Sequence, residues 1–118
     1  FSLTAMEAAF NQGEEWLEQL LPYLSANFGF VADYCREHIP QIKTCAPDAT
    51  YLMWLDCRAL GLDNDALRRF MIEQAGLGLN DGCSFGRSLN GYMRLNAACP
   101  RSVLERAMKQ LEAAVKAL

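Results

Sequence analysis

Gly91-Tyr-Met-Arg-Leu-Asn-Ala-Ala-Cys-Pro-Arg101 is the stretch on which the fold turns. Its first half reads as a short strand with a positive charge in the middle. Side chains alternate across a strand, so Met93 and Leu95 share one face while Tyr92, Arg94 and Asn96 share the other. The first pair suits a core. The second face sets a guanidinium between an aromatic ring and an amide, and that planar five-donor fork matches a carboxylate through two parallel hydrogen bonds. Two readings of Arg94 stay open at this point. It is a carboxylate clamp, or a charge at a sheet edge that pairs with Asp56 or stands in solvent. Pro100 then opens a helix, and Ser102-Val-Leu-Glu105 has the capping-box pattern. Leu104, Ala107, Met108, Leu111, Val115 and Leu118 are expected inward, with Lys109 and Lys116 toward the C-terminal part.

Upstream, Tyr51-Leu-Met-Trp-Leu55 is short and continuously apolar, as a central strand covered on both sides would be. Trp54 reads there as core or domain-interface packing. Gln41–Cys45 alternates polar and apolar and suits an edge strand closed by Pro47. Asp63 is placed to cap a helix with the stripe Ala66, Leu67, Phe70, Met71 and Ala75, and Gly76 to stop it in the left-handed conformation. Leu77–Asn80 is a candidate short strand, Asp81-Gly82 a turn, and Phe85 to Gly91 a loop leading back to the Arg94 strand.

The N-terminal third reads as helix. Thr4-Ala-Met-Glu7 is a second capping box, opening a short helix that Gly13 breaks. From Glu14, the residues Trp16, Leu17, Leu20, Leu24, Phe28, Val31, Cys35 and Ile39 form one apolar stripe of a long helix. Pro22 predicts a kink and Pro40 the end. His38, the one histidine, falls in the last turn, where a partly cationic ring complements the dipole. The fold class is therefore α+β: a small, mostly antiparallel sheet covered by helices on one face, preceded by a long kinked helix. Residues 1–39 form connecting helices and residues 40–118 the sheet with its packing helices, within one domain.

At 118 residues the chain holds one core and is too short for a two-domain enzyme. A net charge of −3 without a basic stripe argues against nucleic acid, and no apolar run reaches membrane-spanning length. Five cysteines without a Cys-x-x-Cys pair, beside a single His, argue against a metal site and for free thiols in a reducing, cytoplasmic compartment. Cys35, Cys45 and Cys57 sit among apolar neighbours and read as small hydrophobes. The start at Phe1-Ser-Leu-Thr, with no initiator Met and no signal pattern, reads as a cut inside a longer chain. No catalytic set assembles. Lys43, Lys109 and Lys116 all read as surface residues rather than Schiff-base amines, and Gly76 to Gly91 match no phosphate loop.

Three blocks carry a resemblance: Thr50 to Gly61, Gly82-x-x-Phe-Gly86, and Gly91-Tyr-Met-Arg-Leu-Asn96 with Cys99-Pro-Arg-Ser102. They resemble the C-terminal small domain of fold-type-I pyridoxal-phosphate enzymes, the class I/II aminotransferase group, and within it the cystathionine β-lyase (C–S lyase) branch. The resemblance covers essentially the whole chain. It implies that Arg94 holds the α-carboxylate of an amino-acid substrate, with Tyr92 and Asn96 as supporting residues. It also implies that the Schiff-base lysine and phosphate-binding residues lie in a large domain upstream of Phe1, in a homodimeric parent. This chain alone is then expected to be inactive and to bind no pyridoxal 5'-phosphate. One departure is visible: Leu89 stands where the family pattern has glycine. The competing expectation is a free-standing, non-catalytic protein-interaction domain, supported by 52% hydrophobic residues and the lack of a complete site.

Overall fold

The computed structural model describes residues 1–118. Helix α1 (Ser2–Gln12) is followed across Gly13 by α2 (Glu14–His38), strand β1 (Lys43–Cys45) and strand β2 (Leu52–Asp56). Helix α3 (Asn64–Arg69), strand β3 (Asn80–Asp81), strand β4 (Tyr92–Asn96) and helix α4 (Arg101–Lys116) complete the order. The four strands form one antiparallel sheet in the order β1-β2-β4-β3, so the α+β expectation holds.

One sheet face makes the core. Met53 and Leu55 on β2 pair across the ladder with Leu95 and Met93 on β4, and all four are buried. They belong to the same cluster as Val31 and Cys35 of α2, Leu67 of α3, and Leu104, Met108 and Leu111 of α4. Burial of such side chains at about 1.5–3 kcal/mol each is the main force holding sheet to helices. The opposite face is not covered as a doubly buried strand would be. Leu52, Trp54 and Asp56 stay half-buried, so β2 is central in the ladder but alternates in burial.

Local signals were followed unevenly. Asp63 caps α3 by accepting the Ala66 N–H at 2.8 Å, and Gly76 adopts φ +66°. Beyond Arg69 the helix widens into one π-type turn, Phe70–Gln74, with Ala75 N–H donating to the Phe70 carbonyl. Neither capping box forms. Phe1 is the N-cap of α1, its carbonyl taking the Ala5 N–H, so Thr4 already lies inside the first turn. Pro100 is the N-cap of α4, its carbonyl taking the Val103 N–H, which leaves Ser102 inside the helix. The 77–80 strand shrinks to Asn80–Asp81. Leu118 is exposed rather than inward, and Cys45 is exposed rather than packed.

Helix α2 runs through Pro22 to His38. Its stripe is buried only from Leu24 onward, while Trp16 and Leu17 are exposed. No residue of α1 is buried. His38 finds a lateral partner besides the helix dipole: its ring lies 4.5 Å from that of Tyr34, and its Nδ1 is 4.0 Å from Glu112 on α4.

Candidate functional site

The outward face of the sheet is ordered by the ladder register. Cys45 pairs with Trp54, Trp54 with Arg94, and Arg94 with Asn80, so these four residues form one row across all four strands. Lys43, Asp56 and Tyr92 form the next row. Of the two roles left open for Asp56, partner of Arg94 or solvated strand end, the structure shows neither, because Asp56 stands opposite Tyr92. Its carboxylate instead receives Arg58 Nε at 2.9 Å and Nη2 at 2.8 Å, with the Arg58 backbone N–H at 3.1 Å. Those Arg58 hydrogen bonds hold the Asp56 carboxyl below its ordinary range, against a smaller opposing effect of burial. The Arg58 guanidinium in turn lies 4.9 Å from the centre of the Tyr92 ring.

Arg94 is held differently. Its Nη2 donates to Asn80 Oδ1 at 3.1 Å, and its guanidinium carbon lies 4.2 Å from the centre of the Phe85 ring. Phe85 meets Trp54 edge-on, with centroids 5.7 Å apart. The Arg94 Nε–H is buried and has no acceptor. Arg94 also takes part in none of the ion pairs of the molecule. A half-buried guanidinium is thus oriented by an amide and a ring while its charge is left unneutralised. Such an arrangement suits a planar anionic guest.

The turn that carries Phe85 depends on Gly82. A Cβ there would stand 2.3 Å from the Leu89 carbonyl oxygen and 2.7 Å from that of Tyr92, so only glycine permits this approach of the turn to β4. Leu89 ends a 3₁₀ turn, Arg87–Leu89, and has no positive φ, so its backbone makes no demand for the glycine of the family pattern.

Tyr92 and Asn96, the expected supporting residues, face the same side as Arg94 but are engaged elsewhere. Tyr92 lies against Arg58, and Asn96 Oδ1 accepts the Ala98 N–H at 2.8 Å. The Arg94 guanidinium is held by Asn80 and Phe85, neither of them among the expected site residues. Phe85 was legible within Gly82-x-x-Phe-Gly86; Asn80 carried no signal beyond its place near a strand end.

No family model matches the chain. Protein MalY of Escherichia coli is 40% identical over 117 residues, which cover 99% of this chain and 30% of that protein. The cystathionine beta-lyase PatB of Bacillus subtilis is 35% identical over 115 residues, 98% of this chain and 30% of its own length. Among solved structures, cystalysin from Treponema denticola, which contains a pyridoxal 5'-phosphate cofactor, superposes with a TM-score of 0.93 at 32% identity, over 97% of this chain and 29% of that one. This chain therefore spans about a third of the length of the relatives it matches.

The residues present do not by themselves fit that cofactor. Pyridoxal phosphate needs an amine that can lose its proton and a set of donors around a phosphate. Lys43, Lys109 and Lys116 are all exposed, and Lys116 is paired with Glu112, so none has the enclosed setting of a Schiff-base amine. The sheet, the long helix and the Arg94 block nevertheless agree with these relatives along nearly the whole chain. The chain belongs, as their C-terminal segment, to the pyridoxal-phosphate enzymes of the class I/II aminotransferase fold, in the group that holds MalY and the cystathionine β-lyase PatB.

Proposed function

We propose that Arg94 binds the α-carboxylate of an amino-acid substrate, and that residues 1–118 serve as the C-terminal domain of a homodimeric pyridoxal-phosphate enzyme, a carbon–sulfur β-lyase or an aminotransferase. The observation that carries this reading is the state of Arg94. Asn80 and Phe85 orient its guanidinium while no carboxylate of the chain neutralises it. The electron-withdrawing chemistry belongs to the cofactor; the share of this chain is to bind and orient the substrate. In the longer enzyme, Arg94→Lys keeps the charge and loses the fork. A charge-assisted hydrogen bond contributes about 1.5–3 kcal/mol, so kcat/KM for amino acids is expected to fall by about ten- to a hundredfold, with cofactor loading unchanged. An unchanged kcat/KM in a folded, cofactor-loaded variant overturns the assignment.

A second reading, a free-standing interaction domain, draws on the N-terminal helices. Phe1, Leu3, Met6, Phe10 and Trp16 are all more than half exposed, and monomeric proteins rarely leave such a surface bare. The coding sequence upstream of Phe1 separates the two. A pyridoxal-phosphate domain with its lysine supports the first reading, and an unrelated domain supports the second.

A further inference from the structure

Asn27 is the one polar side chain buried in the molecule, 0% exposed, on the apolar stripe of α2 between Leu24 and Val31. Every hydrogen-bonding direction it uses points at the same short segment. Its Nδ2 donates to the carbonyls of Ala97 at 2.9 Å and Cys99 at 3.1 Å, and its Oδ1 accepts from Arg101 Nε at 3.0 Å. One turn earlier on the same helix face, the Tyr23 hydroxyl donates to the Cys99 carbonyl at 3.1 Å and accepts the Arg101 backbone N–H at 3.0 Å. The Ala97 N–H closes the other side by donating to Tyr51 at the entrance of β2. The segment leaving β4 is therefore held to α2 by side chains and to β2 by its backbone. An apolar residue at position 27 would continue the stripe and hold none of these carbonyls.

We propose that Asn27 is a positioning residue for Arg94. By pinning the exit of β4 to α2 it fixes the strand three residues beyond Arg94, and through the strand it fixes the guanidinium. At about 3.3 Å per residue the clasp lies about 10 Å from Arg94 along an extended backbone. Between them Leu95 and Asn96 pair only with Met53 and Leu52 of β2, and β3 first meets the strand at Arg94, so a displacement of the clasped end reaches Arg94 along a segment held on one side. Asn80 and Phe85 hold the guanidinium itself; Asn27 holds the strand that delivers it. The role in substrate binding rests on the carboxylate reading above, whereas the mechanical coupling does not.

The test uses the side-chain Nε–H of Arg94, followed by NMR in the ¹⁵N-labelled 118-residue chain. Asn27→Ala is expected to shift this resonance and to speed its exchange with solvent about tenfold. Glu112→Gln, which loosens a different α2–α4 contact through Tyr34, is expected to leave it in place. In the longer enzyme, Asn27→Ala is expected to raise KM for the amino acid about tenfold while kcat moves about threefold or less, and Glu112→Gln to change neither. Should Asn27→Ala fail to fold, Tyr23→Phe decides, since it removes one hydroxyl at an exposed rim and should shift the same resonance in the same direction. An Arg94 Nε–H unmoved by both Asn27→Ala and Tyr23→Phe overturns the proposal, whatever the substrate kinetics show. If that resonance moves but neither Asn27→Ala nor Arg94→Lys alters KM, the coupling stands and the carboxylate reading falls.

Discussion

On one face of the sheet Met53, Leu55, Met93 and Leu95 are 0–5% exposed; on the other, one residue along the same two strands, Leu52, Trp54, Tyr92 and Arg94 remain half-buried. The first face is answered by helices α2, α3 and α4. The second is met by two short turns, which bring Arg58 against Tyr92 and Phe85 against Arg94. The alternation of a strand lets one backbone do both jobs. Packing on the inner face fixes where the strand lies, which leaves the outer face able to present a charge. On the proposed role of Arg94, stability and chemistry are separated by a single residue step, and substitutions on the two faces should have opposite signatures.

The largest effect is expected on the inner face. Leu55→Ala removes a side chain that is 0% exposed, and a cavity of this kind costs about 2–5 kcal/mol. Urea unfolding of the 118-residue chain measures it. A loss under about 1 kcal/mol would mean that the core relaxes freely and that the contrast between faces is weaker than the burial suggests. Gly82→Ala comes next, because its Cβ meets backbone oxygens that cannot rotate away. Overpacking there should cost about 1–3 kcal/mol and displace the Phe85 turn from Arg94, visible as a change in the aromatic resonances of Phe85 and Trp54.

How much of this was legible follows from which signals are local. The opposite facing of Met93 and Leu95 against Arg94 follows from alternation alone, and Asp63 and Gly76 behave as their residue types dictate because a cap and a left-handed stop depend on one residue each. Thr4 and Ser102 carry the S/T-x-x-E pattern of a helix start, yet neither residue is the N-cap. Upstream carbonyls, those of Phe1 and Pro100, had already opened the turn. Asp56 could not be assigned because its choice of partner is set by register. The ladder puts Trp54 opposite Arg94 and leaves Asp56 to Arg58, two residues on. Asn80 and Phe85 lie 14 and 9 positions before Arg94 and meet it only after the chain turns back. Asn27 was invisible to a search for apolar periodicity because it is a polar residue on the apolar stripe.

The thiols sharpen the comparison at intermediate scale. Cys35 and Cys57 belong to the core, and burial pushes their pKa up to about 11 and about 12. Cys45 lies exposed in the Arg94 row. At pH 8 iodoacetamide should modify Cys45 first, with Cys35 and Cys57 slower by about a hundredfold or more. Comparable rates would show that the core opens readily. The same shifts set a pH window. Both folded-state values lie above the ordinary thiol value of 9.0, so the folded chain binds more protons than the unfolded one between that value and about 11–12. Their contribution is complete below pH 9.0 and is lost as pH rises through the folded values, so Tm should decline across that alkaline range.

The smallest effect on stability should come from the residue with the largest proposed effect on function. Arg94→Met keeps an unbranched stem on β4 while removing the guanidinium. What is lost is one hydrogen bond to the exposed Asn80 and one contact with the half-exposed Phe85, and a cation–π contact at an exposed site contributes about 0.5–1 kcal/mol. What is gained is relief of a buried Nε–H with no acceptor, whose desolvation costs about 1–3 kcal/mol. These oppose each other, so the net change in unfolding free energy of the 118-residue chain should lie within about 0.5 kcal/mol of zero. In the longer enzyme the same substitution should remove most turnover of amino acids, because neither charge nor fork remains. A destabilisation well beyond that range would make Arg94 a strut of the sheet and erase the division of labour between its faces. A neutral change would mean that the fold holds this cation in place without needing it, as expected of a residue whose partner arrives with the substrate.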